Sequence, residues 1–208
     1  KILKKLDTQT DDLIFFGAGS ESIVNLSMSS LIKKLGEDLS LYTGKWAPCW
    51  IVNFPMFETN SDGDLTPLHH PFTLPKCSAK EIKNDPVNAT AYAYDVVLNG
   101  YEIGGGSLRI YDKSMQETIF EILKISKEEA DKKFGFLLKA LSSGCPPHGG
   151  IAFGLDRIVM LVTNTNNIRD VIAFPKTQSA ACLLTDAPST VEKAQLDELK
   201  IESTHKED

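Results

Sequence analysis

Two carboxylates seven positions apart, Asp95 and Glu102, bracket the run Val96-Val97-Leu98-Asn99-Gly100-Tyr101. Asn-Gly between apolar stretches is the strongest short hairpin signal, because both turn residues must accept positive φ. A two-residue turn fixes the register. Leu98 then faces Tyr101, Val97 faces Glu102, and Asp95 shares a sheet face with Glu102 as its diagonal neighbour, with Cβ atoms about 7 Å apart. Carboxylates at that separation suit a hard cation such as Mg2+, which takes oxygen ligands and keeps waters or phosphates for its remaining positions. A pair of solvated strand carboxylates has the same spacing, so spacing alone leaves both readings open.

A second constellation is the junction Gly149-Gly150-Ile151-Ala152-Phe153-Gly154-Leu155-Asp156-Arg157-Ile158-Val159-Met160-Leu161-Val162. An apolar strand ends at Gly154, Asp156 is expected to cap the next helix, and Arg157 falls in its first turn. Unpaired N–H groups and the positive helix end favour a phosphate there. The plainer reading is a strand-helix turn with a solvated arginine. Between hairpin and junction lies Gly104-Gly105-Gly106-Ser107-Leu108-Arg109. Glycines inside a strand predict a bulge or a close backbone approach. Strict alternation points Arg109 away from Glu102, and a single bulge among the glycines returns it to the same face. A guanidinium fork binds a carboxylate in bidentate fashion, though a structural salt bridge would use it equally well. His69 and His70 are adjacent and point opposite ways on an extended chain, which makes a poor chelating pair with one ring toward a pocket. His148 and His205 read as structural or solvated.

The elements that must position these groups are legible in outline. From Asp12 to Leu35 the chain predicts a strand at Leu13–Phe16, a glycine turn, and an amphipathic helix burying Ile23, Val24, Leu31, Ile32 and Leu35. The Gly17-Ala18-Gly19 run mimics a dinucleotide fingerprint but has serine for the third glycine and no acidic residue ending a second strand, so no nucleotide site is expected there. After Trp46, strands interleave with short helices. Ser78 with Glu81, Ser114 with Glu117 and Ser126 with Glu129 predict capping boxes. The third opens the longest helix, running toward Leu141, and Ser189 with Glu192 precedes a C-terminal helix. Regular βαβ alternation is missing, so the fold class is α+β, with a mainly antiparallel sheet flanked by helices.

Composition sets the outer bounds. The 208 residues are 42% hydrophobic and 24% charged, ordinary for a globular protein with a real core. The net charge of −6 gives the chain no overall positive field for a nucleic acid, so any such contact is local or made elsewhere. Cys49, Cys77, Cys145 and Cys182 form no CxxC pair, which predicts reduced thiols in a cytoplasmic protein, without disulfide or zinc. No apolar run is long enough for a membrane span, and none resembles a signal sequence. The start at Lys1 reads as that of a fragment.

The junction resembles motif 3 of the class II aminoacyl-tRNA synthetases. With Trp46-Ala47-Pro48-Cys49-Trp50-Ile51-Val52-Asn53-Phe54-Pro55, Leu68-His69-His70-Pro71-Phe72-Thr73 and Asn167-Ile168-Arg169-Asp170-Val171-Ile172-Ala173-Phe174-Pro175-Lys176, it resembles bacterial-type aspartyl-tRNA synthetase over essentially the whole chain. The resemblance implies the C-terminal part of the class II catalytic fold over residues 43–208, with residues 1–42 ending a domain inserted into the bacterial core. It implies ATP on Glu102, Gly154, Leu155, Asp156 and Arg157, and Mg2+ on Asp95 and Glu102. It also puts L-aspartate on His69 and Arg109, with Arg157 and Glu102 as the catalytic pair. His70 is a second contact or a structural neighbour. Implied partners are tRNA(Asp), with tRNA(Asn) open as a second acceptor, and a second copy in a homodimer of the full-length protein. Motifs 1 and 2 have no counterpart here, so the fragment alone is expected to be inactive. Asn53 replaces the family's usual Asp, and the loop from Phe72 to Tyr94 is slightly short. A non-catalytic regulatory relative is the alternative from another class.

Overall fold

A computed structural model describes residues 2–202 and 204. His205 lies outside them. The chain forms two compact units, Lys1–Ala47 and Pro48–Asp208.

The first unit holds α1 (Ile2–Leu6) and α2 (Glu21–Asp38), and α2, at 18 residues, is the longest helix among the described residues. The expected strand at Leu13–Phe16 is not formed. The segment has no ladder partner, and Leu13, Phe15 and Phe16 are exposed. Without a partner strand, β propensity has nothing to pair with. The helix is amphipathic in a different phase from the one expected: Val24, Met28, Leu31 and Leu35 are half-buried, while Ile23 and Ile32 are exposed. Spacings of four, three and four residues make that face; Ile23 and Ile32 fall off it.

The second unit is built on a four-stranded, wholly antiparallel sheet in the order β1-β4-β5-β6, where β1 is Pro48–Val52, β4 Ala93–Leu98, β5 Tyr101–Leu108 and β6 Gly149–Phe153. A separate pair, β2 (Phe57–Thr59) and β3 (Leu65–Pro67), and helices α3 (Ala79–Asn84), α4 (Lys113–Ile122) and α5 (Lys127–Ser142) complete the flank. The core collects Met56, Phe57, Ile82, Ala91, Ala93, Ile110 and Ile119. A helix α6 (Leu155–Val162) follows β6, then a short 3-10 turn (Ile168–Asp170) and α7 (Lys193–Leu199). No helix among the described residues is long and apolar enough to cross a membrane.

Helix starts follow the capping logic only in part. At α3 both halves of the box are present: Glu81 N–H donates to Ser78 Oγ, and Ser78 N–H donates to Glu81. At α5 the Ser126 hydroxyl accepts from Glu129 N–H at 3.2 Å, but the helix has 16 residues and is not the longest. Ser114 is no cap. α4 begins two residues earlier than expected, capped by Asp112, whose Oδ1 accepts from Met115 N–H at 2.9 Å and from the Ser114 hydroxyl. A carboxylate outcompetes a hydroxyl because it brings charge to the positive helix end, and the same bonds hold Asp112 below the ordinary carboxylate pKa. Asp112→Ala is expected to cost about 1 kcal/mol of unfolding free energy, and Ser114→Ala much less, as read by chemical denaturation. Ser189 does not start α7 either; Glu192 is its N-cap residue.

Candidate active site

The hairpin register is the one the Asn-Gly turn dictates, with Leu98 opposite Tyr101 and Val97 opposite Glu102. Asn99 and Gly100 both have positive φ, at 51° and 80°. One residue further the ladder slips: Val96 pairs with Gly104, leaving Ile103 unmatched as a bulge. The bulge therefore lies immediately before the glycine run, not within it. Its effect on parity is the expected one. Glu102, Gly105, Ser107 and Arg109 all line one cavity of about 650 Å3, together with Asp95.

At the bulge, two successive carbonyls of β5 accept from the junction. Gly154 N–H donates to the Ile103 carbonyl at 2.8 Å, and Arg157 Nη1 donates to the Glu102 carbonyl at 2.8 Å. Arg157 Nη1 also lies 3.7 Å from Glu102 Oε2. Both side chains are about half exposed, so the ion pair adds little stability. Its consequence is positional, because the guanidinium is held against the carboxylate at the helix start. Gly154 is the N-cap residue of α6, and Asp156 sits in the first turn instead of capping. Gly154, Asp156 and Arg157 line the cavity, whereas Leu155 opens the helix with its side chain exposed and does not line it.

The glycine run has two uses. A side chain at Gly105 would strike Asp95 Oδ1 and come within 3.6 Å of Glu102 Oε1, so the bare backbone leaves room for the two carboxylates. Burial first, then the Glu102 charge, raises the Asp95 pKa, against a smaller opposing effect of His69. The ionised pair is thus unfavourable by itself, which is the electrostatics a cation would relieve. Gly104 and Gly106 serve packing. A Cβ on Gly104 would stand 2.7 Å from Phe153 Cδ1 and 2.8 Å from the Ala152 carbonyl oxygen, both on β6.

The other wall is the His69–His70 segment. Phe72 anchors it by edge-on contacts with Phe120 of α4 and Phe134 of α5, at 6.2 and 5.1 Å between ring centroids. Gln116 Nε2 donates to the Pro71 carbonyl at 2.8 Å. His69 is exposed and edge-on to Phe54, with centroids 5.0 Å apart. His70 is half-buried; its Nδ1 accepts from Phe72 N–H at 3.2 Å and from Arg109 Nη1 at 2.9 Å, and Nε2 also contacts Arg109. The arginine therefore meets His70, whereas sequence reasoning emphasised His69; both rings line the cavity. Arg109 N–H donates to the His148 carbonyl at 2.9 Å, which gives His148 a backbone role. Among the described residues Arg109 has no salt bridge to an acidic side chain.

Burial, then the Arg109 cation and His69, pushes the His70 pKa from about 6.5 down to about 4. The folded state binds that proton more weakly than the unfolded chain does. Its contribution to stability is whole above pH 6.5 and is lost as pH falls from there toward about 4. Melting temperature should drop across that window more steeply in the wild-type protein than in His70→Gln.

No group of three or more His, Cys, Asp or Glu side chains arranged to hold a metal occurs among the described residues. All four cysteines are free thiols.

The antiparallel sheet flanked by helices is that of the class II aminoacyl-tRNA synthetase catalytic fold. The profile of the family "tRNA synthetases class II (D, K and N)" matches residues 10–178, and the chain belongs to that family. Among solved structures, the chain is similar to the aspartyl-tRNA synthetase of Entamoeba histolytica, with a TM-score of 0.50 and 20% identity over 86% of this chain and 30% of that one. It is also similar to the asparaginyl-tRNA synthetase of Pyrococcus horikoshii, with a TM-score of 0.46 and 22% identity over 64% of this chain and 27% of that one. The chain thus spans less than a third of the length of these structures.

Proposed function

We propose that the chain is the C-terminal part of the catalytic domain of a bacterial-type aspartate–tRNA ligase, with residues 1–42 ending its inserted domain. The observation that carries the reading is Arg109, a guanidinium on the cavity wall whose described contacts include no acidic side chain. Arginine matches a carboxylate in charge and fork geometry, so a small acid fits where a neutral amide would leave the cation without a counterion.

In the first half-reaction the aspartate α-carboxylate attacks the α-phosphorus of ATP, forming aspartyl-adenylate and releasing pyrophosphate. In the second, a terminal ribose hydroxyl of tRNA(Asp) displaces AMP. Neither step needs a nucleophile from the protein, so these residues position and stabilise charge. Arg109 holds the amino-acid side chain, with His69 and His70 beside it. Arg157, Gly154 and Asp156 form the phosphate end at the α6 N-terminus. Asp95 and Glu102 suit Mg2+, two oxygen donors on one face whose mutual repulsion a cation offsets. When bound, the ion would neutralise phosphate charge. Leu155 contributes backbone only. Work as a cytoplasmic homodimer is what the sequence resemblance supports.

The test is ATP/pyrophosphate exchange by the full-length enzyme carrying these residues, with aspartate, asparagine or lysine. Exchange with aspartate alone is expected. Exchange with asparagine or lysine alone would reassign the substrate, and no exchange by a folded enzyme would favour a non-catalytic relative. Charging of tRNA(Asn) with aspartate by the same enzyme would identify the non-discriminating variant.

A further inference from the structure

The wall that carries His69 and His70 is held from behind by a residue that does not itself line the cavity. Gln116 of α4 is wholly buried, at 0% exposure. Its Nε2 donates to the Pro71 carbonyl at 2.8 Å, while its Oε1 has no hydrogen-bond partner among the described residues. A buried amide with its oxygen left unpaired is a cost to the fold, so stability alone does not account for a glutamine where an apolar side chain of similar size would leave no orphan.

The bond that Gln116 does make has a specific use. Pro71 has no N–H, so at this residue the segment is tied by its carbonyl. One residue on, Phe72 packs edge-on against Phe120, which follows Gln116 by four residues on the same helix, and its N–H donates to His70 Nδ1 at 3.2 Å. Helix α4 therefore grips both residues that follow His70. The same Nδ1 accepts from Arg109 Nη1 at 2.9 Å, so two donors converge on one nitrogen and a small rotation of the ring loses both. We propose that Gln116 is a positioning residue: by fixing the Pro71 carbonyl it aims the His70 ring at Arg109, and so sets the direction in which the guanidinium fork faces the cavity. The consequence for aspartate rests on the function proposed above, whereas the hold on His70 does not.

The experiment compares wild type with Gln116→Met in the full-length enzyme, since methionine has a similar length and no N–H to give. Burial and the Arg109 cation hold the His70 pKa at about 4, so a ring turned loose should titrate nearer its ordinary 6.5. NMR of isotope-labelled histidine follows the titration, with His70→Gln identifying the signal. The KM for aspartate should rise about 10-fold, because a misaimed fork bonds one carboxylate oxygen instead of two, with the KM for ATP unchanged. Should Gln116→Met fail to fold, Gln116→Asn keeps the amide but falls one methylene short of the carbonyl, and should shift both readings in the same direction. A His70 ring that titrates as in wild type overturns the inference, whatever the melting temperature does, and leaves Gln116 as packing. An unchanged KM for aspartate in an active Gln116→Met enzyme overturns it too. A wild-type enzyme inactive with aspartate, asparagine and lysine overturns the proposed function instead, and the histidine titration then decides the positioning role by itself.

Discussion

Gly106→Ala is expected to cost about 3 kcal/mol or more of folding stability, enough to remove a large part of what holds a domain of this size together. A methyl group there would overlap the Gly150 carbonyl oxygen and stand 2.9 Å from the Gly150 carbonyl carbon and Ile151 Cα. The three nearest atoms it meets are all backbone on β6, so turning a side chain aside does not relieve the overlap. The β5-β6 ladder, which delivers Gly154 and Arg157 to the hairpin, would have to part. Gly150 is the internal control. A Cβ at Gly150 would meet nothing within 4 Å, and Gly150→Ala should therefore be close to neutral by chemical denaturation. A third outcome separates site from fold. At Gly105 the first obstacle is the movable carboxylate of Asp95, so Gly105→Ala should leave most of the stability and disturb the carboxylate pair.

The hairpin was legible in the sequence because its determinants are local: Asn99-Gly100 sets the turn, the turn sets the register, and alternation sets the face. The bulge was legible as a necessity, since Arg109 reaches the cavity only if parity changes once. Its place at Ile103 was not, because that depends on where the junction's donors arrive from β6. The three glycines read as a bulge or a close backbone approach from sequence alone. Two of them answer to the neighbouring strand, a packing constraint visible only once β6 is paired. The capping errors have the same origin: Ser114 satisfies the local pattern, but Asp112 is two residues closer to where the strand-helix turn must break. Leu13–Phe16 shows the opposite failure, an apolar β-rich run without a ladder partner. The His70–Arg109 contact joins residues 39 apart, and adjacency in sequence gave no means of choosing between the two histidines.

Arg157→Ala should lower kcat in ATP/pyrophosphate exchange by about 100-fold or more while leaving unfolding free energy within about 1 kcal/mol of wild type. The two magnitudes differ because, under the proposed function, the same guanidinium would do two unequal things. Toward the protein it makes one bond to the Glu102 carbonyl and one half-exposed ion pair, and solvent can replace both when it is removed. Toward a triphosphate at the α6 N-terminus it would be a fixed cation beside unpaired N–H groups, where charge would develop as the phosphorus is attacked and water is a poor substitute. Arg157→Lys restores the charge without the fork, and should recover only part of the rate because one point donor cannot bond the Glu102 carbonyl and a phosphate oxygen in the same geometry. Circular dichroism and denaturant titration of the Ala variant decide between the roles. A stability loss as large as the rate loss would make Arg157 a strut between hairpin and helix, and the phosphate site would then have to be sought elsewhere along the cavity.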